Sequence, residues 1–169
     1  SFESIESCEI KKDLGILNDR IFAFSRIIDS KKAYVVEKNP NKRSINNFLT
    51  LKNSPVLNKY NFTYKEKKLA LMLDGKELIS VLANDKEQRL LLVNKLKELE
   101  SSLITPISLL RNSEFPFFDT THNDKVFNSI SLINLNSVED FGNKINEKVE
   151  PQRFRGNLYV KGIDAWQER

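Results

Sequence analysis

The sequence predicts a mixed α+β fold, mainly β, and three observations carry that reading. Short aromatic and β-branched runs separated by turn residues fill the first two-thirds of the chain, as in Ile21-Phe22-Ala23-Phe24 and Ala33-Tyr34-Val35-Val36. Leu69 to Leu73 and Glu77 to Val81 flank Asp74-Gly75, a pair that accepts the positive φ angles of a two-residue hairpin turn. Helical spacing of apolar residues appears only after Ala83, and again after Ser137, so two amphipathic helices are expected.

Taken in order, Ser4 to Lys12 is expected as a first strand that pairs with the C-terminal part of the chain. Ile21 to Phe24 and Ala33 to Val36 form a hairpin through the polar segment Asp29 to Lys32. Phe48 to Leu51 and Tyr60 to Tyr64 are further short strands, with Pro55 breaking the chain between them. In the second hairpin, Leu69 to Val81, alternation puts Leu69, Leu71 and Leu73 on one face. The first helix buries Leu90, Leu91, Val93, Leu96 and Leu99 and exposes Lys95, Lys97 and Glu98, with Asn84 and Glu87 at capping distance. The second runs from about Val138 to Val149 behind Ser137 as N-cap, with Val138, Phe141 and Ile145 inward. Ile104 to Leu110, Ser129 to Leu135 and Asn157 to Val160 are strand-like. Arg111 to Asn128 has no period, and a loop of that length in a compact domain is usually functional.

Composition narrows the class. With 40% hydrophobic residues the 169-residue chain has enough apolar material for one domain or two small interlocked ones. No apolar run approaches the roughly 18 residues of a membrane span, so a soluble protein without a membrane partner is expected. The start at Ser1-Phe2-Glu3-Ser4 has neither Met nor a signal peptide and reads as a boundary. A single cysteine, Cys8, excludes an internal disulfide and suits a reducing compartment, with bacterial cytoplasm the default. The +4 net charge comes from 27 basic and 23 acidic side chains that alternate along the chain. Clustering is confined to Lys38 to Arg43 and Lys65 to Lys68, which read as solvated surface, so nucleic acid is not an expected partner.

The most specific signal lies near the C-terminus, in Pro151-Gln152-Arg153-Phe154-Arg155-Gly156-Asn157-Leu158-Tyr159-Val160-Lys161-Gly162-Ile163-Asp164-Ala165-Trp166-Gln167-Glu168. Ser129 to Leu135 with Ser137-Val138 precedes it. Gly15-Ile16-Leu17-Asn18-Asp19-Arg20-Ile21-Phe22 stands near the other end, followed by Phe48-Leu49-Thr50 and Pro55-Val56-Leu57. In this order the segments resemble those of MOSC-domain proteins, which join a small N-terminal β-barrel domain to a MOSC β-barrel. The resemblance covers about Glu6 to Glu168. It implies an N-terminal barrel-like domain over residues 1–110 and an incomplete MOSC domain over 111–169.

The family, which includes amidoxime-reducing components and bacterial relatives, binds a molybdopterin cofactor. Its members reduce N-hydroxylated compounds with electrons from partner redox proteins, and both are therefore expected here. A looser family-level association with pyridoxal phosphate comes with no site. Carried over residue by residue, cofactor contacts fall on Arg20, Arg155 and Asn157. Planar guanidinium groups bind phosphate bidentately, and an amide offers donor and acceptor to a pterin. The acidic and hydroxyl residues ahead of the strand correspond to Asp119, Thr120 and Thr121, or else to Asn128 and Ser129. The family's Lys-Ser pair would lie upstream of this chain, and its metal-binding cysteine downstream of Arg169. The fragment is accordingly expected to be inactive, and no catalytic or metal-binding residue is assigned within it. Cys8 is expected as a buried thiol, and Lys52 stands where the family commonly has Arg.

Each of these residues also has a plainer use. Asp19-Arg20 suits a surface ion pair, Arg153 and Arg155 suit edge-strand charges, and Trp166 suits a packing anchor. The lone His122 lacks the companions a metal site needs. The rival functions are a non-catalytic β-rich module that binds nucleic acid or protein, and a sulfur-carrier MOSC protein.

Overall fold

The computed structural model describes residues 7–12, 14–103, 106–117 and 130–168. The architecture is α+β and divides into two compact units, Ser1–Phe127 and Asn128–Arg169. Described strands and helices of the first unit are β1 (Ile10–Lys11), β2 (Gly15–Ile16), β3 (Phe22–Ser25), α1 (Ser30–Lys38), β4 (Tyr60–Lys65), β5 (Lys68–Leu73), β6 (Lys76–Leu82), α2 (Lys86–Leu99) and β7 (Ser108–Arg111). The second has β8 (Leu132–Asn134), α3 (Leu135–Ile145) and β9 (Leu158–Val160).

In the first unit the sheet β4-β5-β6 is an antiparallel meander, β3 pairs with β7, and β1 pairs with β2. No closed barrel forms among the described residues. The Asp74-Gly75 turn is as expected: both residues have positive φ, 49° and 78°, and Leu73 pairs with Lys76 across a two-residue loop. A bulge shifts the register between Leu71 and Met72, and Leu73 is only half-buried while Leu69 and Leu71 are buried. Those two pack with Leu92, Val93 and Leu96 of α2, and with Tyr60, Val81, Leu103 and Leu109, in the main core. Edge-to-face pairs Phe22–Tyr64 and Phe24–Phe62, with ring centroids 5.2 and 5.3 Å apart, set β3 against β4.

Several expectations need correction. A third helix, α1, replaces the second strand of the expected first hairpin. Asp29 accepts from the amides of Lys31 and Lys32 as its N-cap, and Ala33 and Val36 pack inward at helical spacing against Leu110. Freed from the hairpin, β3 takes β7 as its partner. Phe48 contributes a single bridge to Ser25, without a strand over Phe48 to Leu51. In α2 the cap is Asp85, one residue after the expected Asn84, and the stripe is rotated. Leu90 and Leu91 are 53% and 55% exposed and Leu99 is exposed, while Arg89 and Leu92 are buried and Lys95 is half-buried. Val93 and Leu96 are buried as expected, and Arg89 and Leu92 join them on the inward face, where the Arg89 guanidinium is hydrogen-bonded. Helix α3 starts earlier than expected, behind Asn134, so Ser137 lies inside it and buried, and Phe141 and Ile145 are exposed.

Arg89 belongs to a buried polar cluster that ties α1 to β7. Its Nε donates to Leu109 O at 3.0 Å, one terminal nitrogen donates to Ala83 O at 2.8 Å, and the other pairs with Glu37 Oε1 at 3.4 Å. The same Glu37 oxygen accepts from the Arg111 amide at 2.8 Å. Arg43 donates to Val36 O, Glu37 O and Pro116 O, and stacks 4.1 Å from the Phe117 ring centre. Burial lowers its pKa to about 10. The Lys38 to Arg43 segment is thus not uniformly solvated surface: Arg43 is 8% exposed. Removing one partner of a buried pair leaves a charge uncompensated, which costs about 3–5 kcal/mol. Glu37→Ala is therefore expected to lower the unfolding free energy by that order. Glu37→Leu with Arg89→Met is expected to lower it by less than the sum of the single changes, read from denaturant midpoints at constant m.

A second buried group limits the pH range. Glu100 accepts from the Tyr60 hydroxyl at 2.8 Å and from Lys59 Nζ at 3.1 Å, and these two hydrogen bonds, Tyr60's first, hold its carboxyl below the ordinary 4.5. Burial, and then Glu100, push Tyr60 up to about 12. The depressed carboxylate contributes stability above pH 4.5 that is lost as the pH falls through its folded value. The raised phenol contributes stability below its ordinary 10 that is lost as the pH climbs towards 12. Chemical denaturation against pH is expected to give a plateau between about pH 5 and 10. In Tyr60→Phe the alkaline decline should shrink.

Candidate functional site

The motif segment of the second unit is built around one close approach. After the 3-10 turn Pro151–Phe154, Arg155 takes the left-handed conformation (φ 54°) as its C-cap. Gly156 then passes so near Ile133 that an added Cβ would lie 2.3 Å from its Cγ1. Only glycine fits there. Asn157 completes the junction: its backbone N donates to Ser131 O, and its Oδ1 accepts from both the N and the Oγ of Ser131, each at 3.0 Å. From that clamp β9 runs parallel to β8, Leu158 beside Leu132 and Val160 beside Asn134.

The turn after β9 is fastened to α3. Asn134, 1% exposed, caps α3 through Oδ1 and donates from Nδ2 to Asp164 O at 2.8 Å and Glu168 Oε2 at 3.0 Å. Ser137 Oγ donates to Glu168 Oε1 at 2.7 Å and accepts from the Trp166 amide. The indole of Trp166 donates to Asp140 Oδ2 at 2.6 Å, and Lys144 pairs with that oxygen at 2.7 Å. Hydrogen bonds from Lys144 first and Trp166 second hold the Asp140 carboxyl below its ordinary range. Trp166 is thus the packing anchor its place in the turn suggested. Asn134, Ser137 and Glu168 stand within the segments that carry the resemblance and Asp140 in the helix between them, but the sequence does not join the four into one hydrogen-bonded set.

Asn157 does not offer both polarities to a ligand. A backbone N–H and a hydroxyl both converge on its side-chain oxygen, so the amide nitrogen remains the group able to donate outward. Arg153 and Arg155 are exposed, and the Arg155 backbone is set between the 3-10 turn before it and the Gly156-Asn157 clamp after it. An exposed arginine next in sequence to an outward amide donor offers hydrogen-bond donors to an anion.

Arg20 lies in the first unit, at the end of a tight segment in which Gly15, Asn18 and Arg20 all have positive φ, 74°, 67° and 54°. Its Nε pairs with Asp19 Oδ2 at 3.5 Å, and its carbonyl accepts from the Phe117 amide at 2.7 Å. Burial raises the Asp19 pKa, with Arg20 opposing it. The plain reading of Asp19-Arg20 as an ion pair is therefore realised, and the Arg20 side chain stays 44% exposed. Left-handed backbone at a residue with a side chain costs free energy, and both candidate arginines adopt it. Asp119, Thr120, Thr121, His122, Asn128 and Ser129 lie outside the described residues. Lys52 is exposed, and Cys8 is exposed where a buried thiol was expected, since the short β1–β2 ladder gives it no core to enter. No group of three His, Cys, Asp or Glu residues able to hold a metal occurs among the described residues.

Gly156→Ala is expected to force Ile133 or β9 out of place and to destabilise the second unit by about 1–3 kcal/mol, the usual cost of overpacking. Amide exchange of Leu158 to Val160 measures it. The companion change Ile133→Ala should recover part of the loss. No protein-family model, curated protein or solved structure matches the chain.

Proposed function

We propose that the chain carries cofactor-facing elements of a molybdenum-cofactor protein of the MOSC type. The whole protein would be a cytoplasmic oxidoreductase that reduces N-hydroxylated compounds with electrons from a partner redox protein. The observation that supports this reading most is the turn at 155–157, where Gly156 and Asn157 hold the exposed Arg155 on a fixed backbone at the centre of the motif. When bound, molybdopterin supplies a metal that exchanges electrons with substrate and donor. Arg155 is assigned to the phosphate, because a planar guanidinium meets two phosphate oxygens at once. Asn157 is assigned as a donor to a pterin carbonyl. Arg20, in the first unit, is the other arginine that the resemblance assigns to the cofactor, and it pairs with Asp19. No helix among the described residues is long and apolar enough to cross a membrane.

The test is cofactor content. Protein that carries this chain together with the Lys-Ser pair and the cysteine that the resemblance implies, purified from a host that makes molybdopterin, is expected to carry pterin, released and measured as its fluorescent oxidation product, with molybdenum measured by mass spectrometry. Arg155→Ala and Arg20→Ala should each lower retained pterin about tenfold or more, the weight of a charge-assisted hydrogen bond, with unchanged melting. Arg155→Lys should restore little. That longer protein, if free of pterin, would overturn the proposal.

A further inference from the structure

Helix α1 shows solvent a face that the packing of its unit does not use. Ala33, Val36 and Glu37 turn inward, so the helical repeat gathers Lys31, Tyr34, Val35 and Lys38 on the opposite side. Tyr34 is 59% and Val35 46% exposed, and Ile28, just ahead of the helix, is 79% exposed. Arg26 and Lys32 line a shallow hollow with Ile28 and Asp29 at the same end. Lys42 follows in the next turn.

Five cations therefore surround three outward apolar side chains, and the two local carboxylates are already occupied. Asp29 accepts from the amides of Lys31 and Lys32, and Glu37 holds Arg89 and the Arg111 amide. Lys31, Lys32, Lys38 and Lys42 have no ion pair among the described residues.

We propose that this face docks on an anionic lipid surface, with Ile28, Tyr34 and Val35 entering the headgroup region and the lysines facing lipid phosphates. The charge is complementary to anionic headgroups, and long lysine stems let the ammonium groups reach them while the apolar side chains go deeper. Nucleic acid is less well served. Of the three outward side chains only Tyr34 offers a ring on which a base can stack, and four of the five cations are lysines, which lack the planar fork of specific phosphate recognition. An acidic protein partner is also disfavoured, because a nine-residue helix supplies little of the roughly 800 Å² that each side of a stable interface buries. The contact is adhesion, since no described helix is long and apolar enough to cross a membrane.

Co-sedimentation of the intact chain with phosphatidylcholine vesicles, with and without phosphatidylglycerol, tests the proposal. Binding is expected only to the anionic vesicles and should weaken as salt rises. Lys31→Glu with Lys32→Glu should reduce it more than tenfold, because each cation near such a surface adds about 1 kcal/mol and tenfold is 1.4. Ile28→Ser with Tyr34→Ser should also weaken it severalfold while leaving the thermal melt in place. Absence of binding would overturn the proposal. So would vesicle binding unaltered in both double variants, which would place the contact elsewhere. Capture of a single-stranded oligonucleotide without vesicle binding would assign the face to nucleic acid and equally overturn it.

Discussion

Glu37 is approached from three sides by groups that have nowhere else to go, and the first unit depends on satisfying them together. Its carboxylate takes the Arg89 guanidinium and the Arg111 amide, and its carbonyl takes Arg43 and the side chain of Asn112. The two arginines are 7% and 8% exposed. Guanidinium groups that deep are tolerable only when their N–H donors find acceptors, and main-chain oxygens of Ala83, Leu109, Val36 and Pro116 supply the rest. One consequence is positional. Helix α1, the end of β7 and the start of α2 cannot shift independently, because each holds a different part of the same hydrogen-bonded set.

That cluster also explains where the sequence was legible and where it was not. The Asp74-Gly75 hairpin could be read because the turn is decided by two adjacent residues that accept positive φ. Helix α1 could not. Ala33-Tyr34-Val35-Val36 has β-branched and aromatic character, and local propensity favours a strand. What overrides it is the Asp29 cap together with partners for Glu37 that lie 52 and 74 residues away. The rotation of α2 has the same origin: a stripe drawn from apolar residues alone cannot anticipate that an arginine is a buried member of the helix. Burial of Arg43 was hidden likewise, since its Pro116 acceptor is 73 residues distant.

The candidate site shows the complementary pattern. In the 151–168 segment the residue types had local reasons that a sequence displays: a glycine, an asparagine directly before a strand, an aromatic with an acid two residues away on either side. Their partners Ser131, Ile133, Asn134 and Ser137 sit together in one short stretch, so strand, helix start and motif could be read as a set. The division of labour within the set was not visible. Asn157 spends its oxygen on holding β9 in place, and the acid Glu168 is spent on Asn134 and Ser137. What is left facing outward from the turn is chiefly the positive charge of Arg153 and Arg155.

The pairing of β3 with β7 bears on how the chain is made. The Arg111 amide and the Glu37 carboxylate it serves are 74 residues apart, and β3 lies earlier still. At synthesis rates of about 5–20 residues per second, β3 and α1 wait roughly 4–15 s for their partner to be made. Through that interval Phe22 and Phe24 sit on a strand without its ladder, and Glu37 and Arg43 lack acceptors and donors that are still to be added. The second unit waits less, roughly 1–7 s at the same rates, because its contacts join neighbours 26 to 34 residues apart. A nascent chain paused before residue 108 is therefore the form most exposed to wrong pairing, and the one that a chaperone recognising unpaired apolar strands would hold.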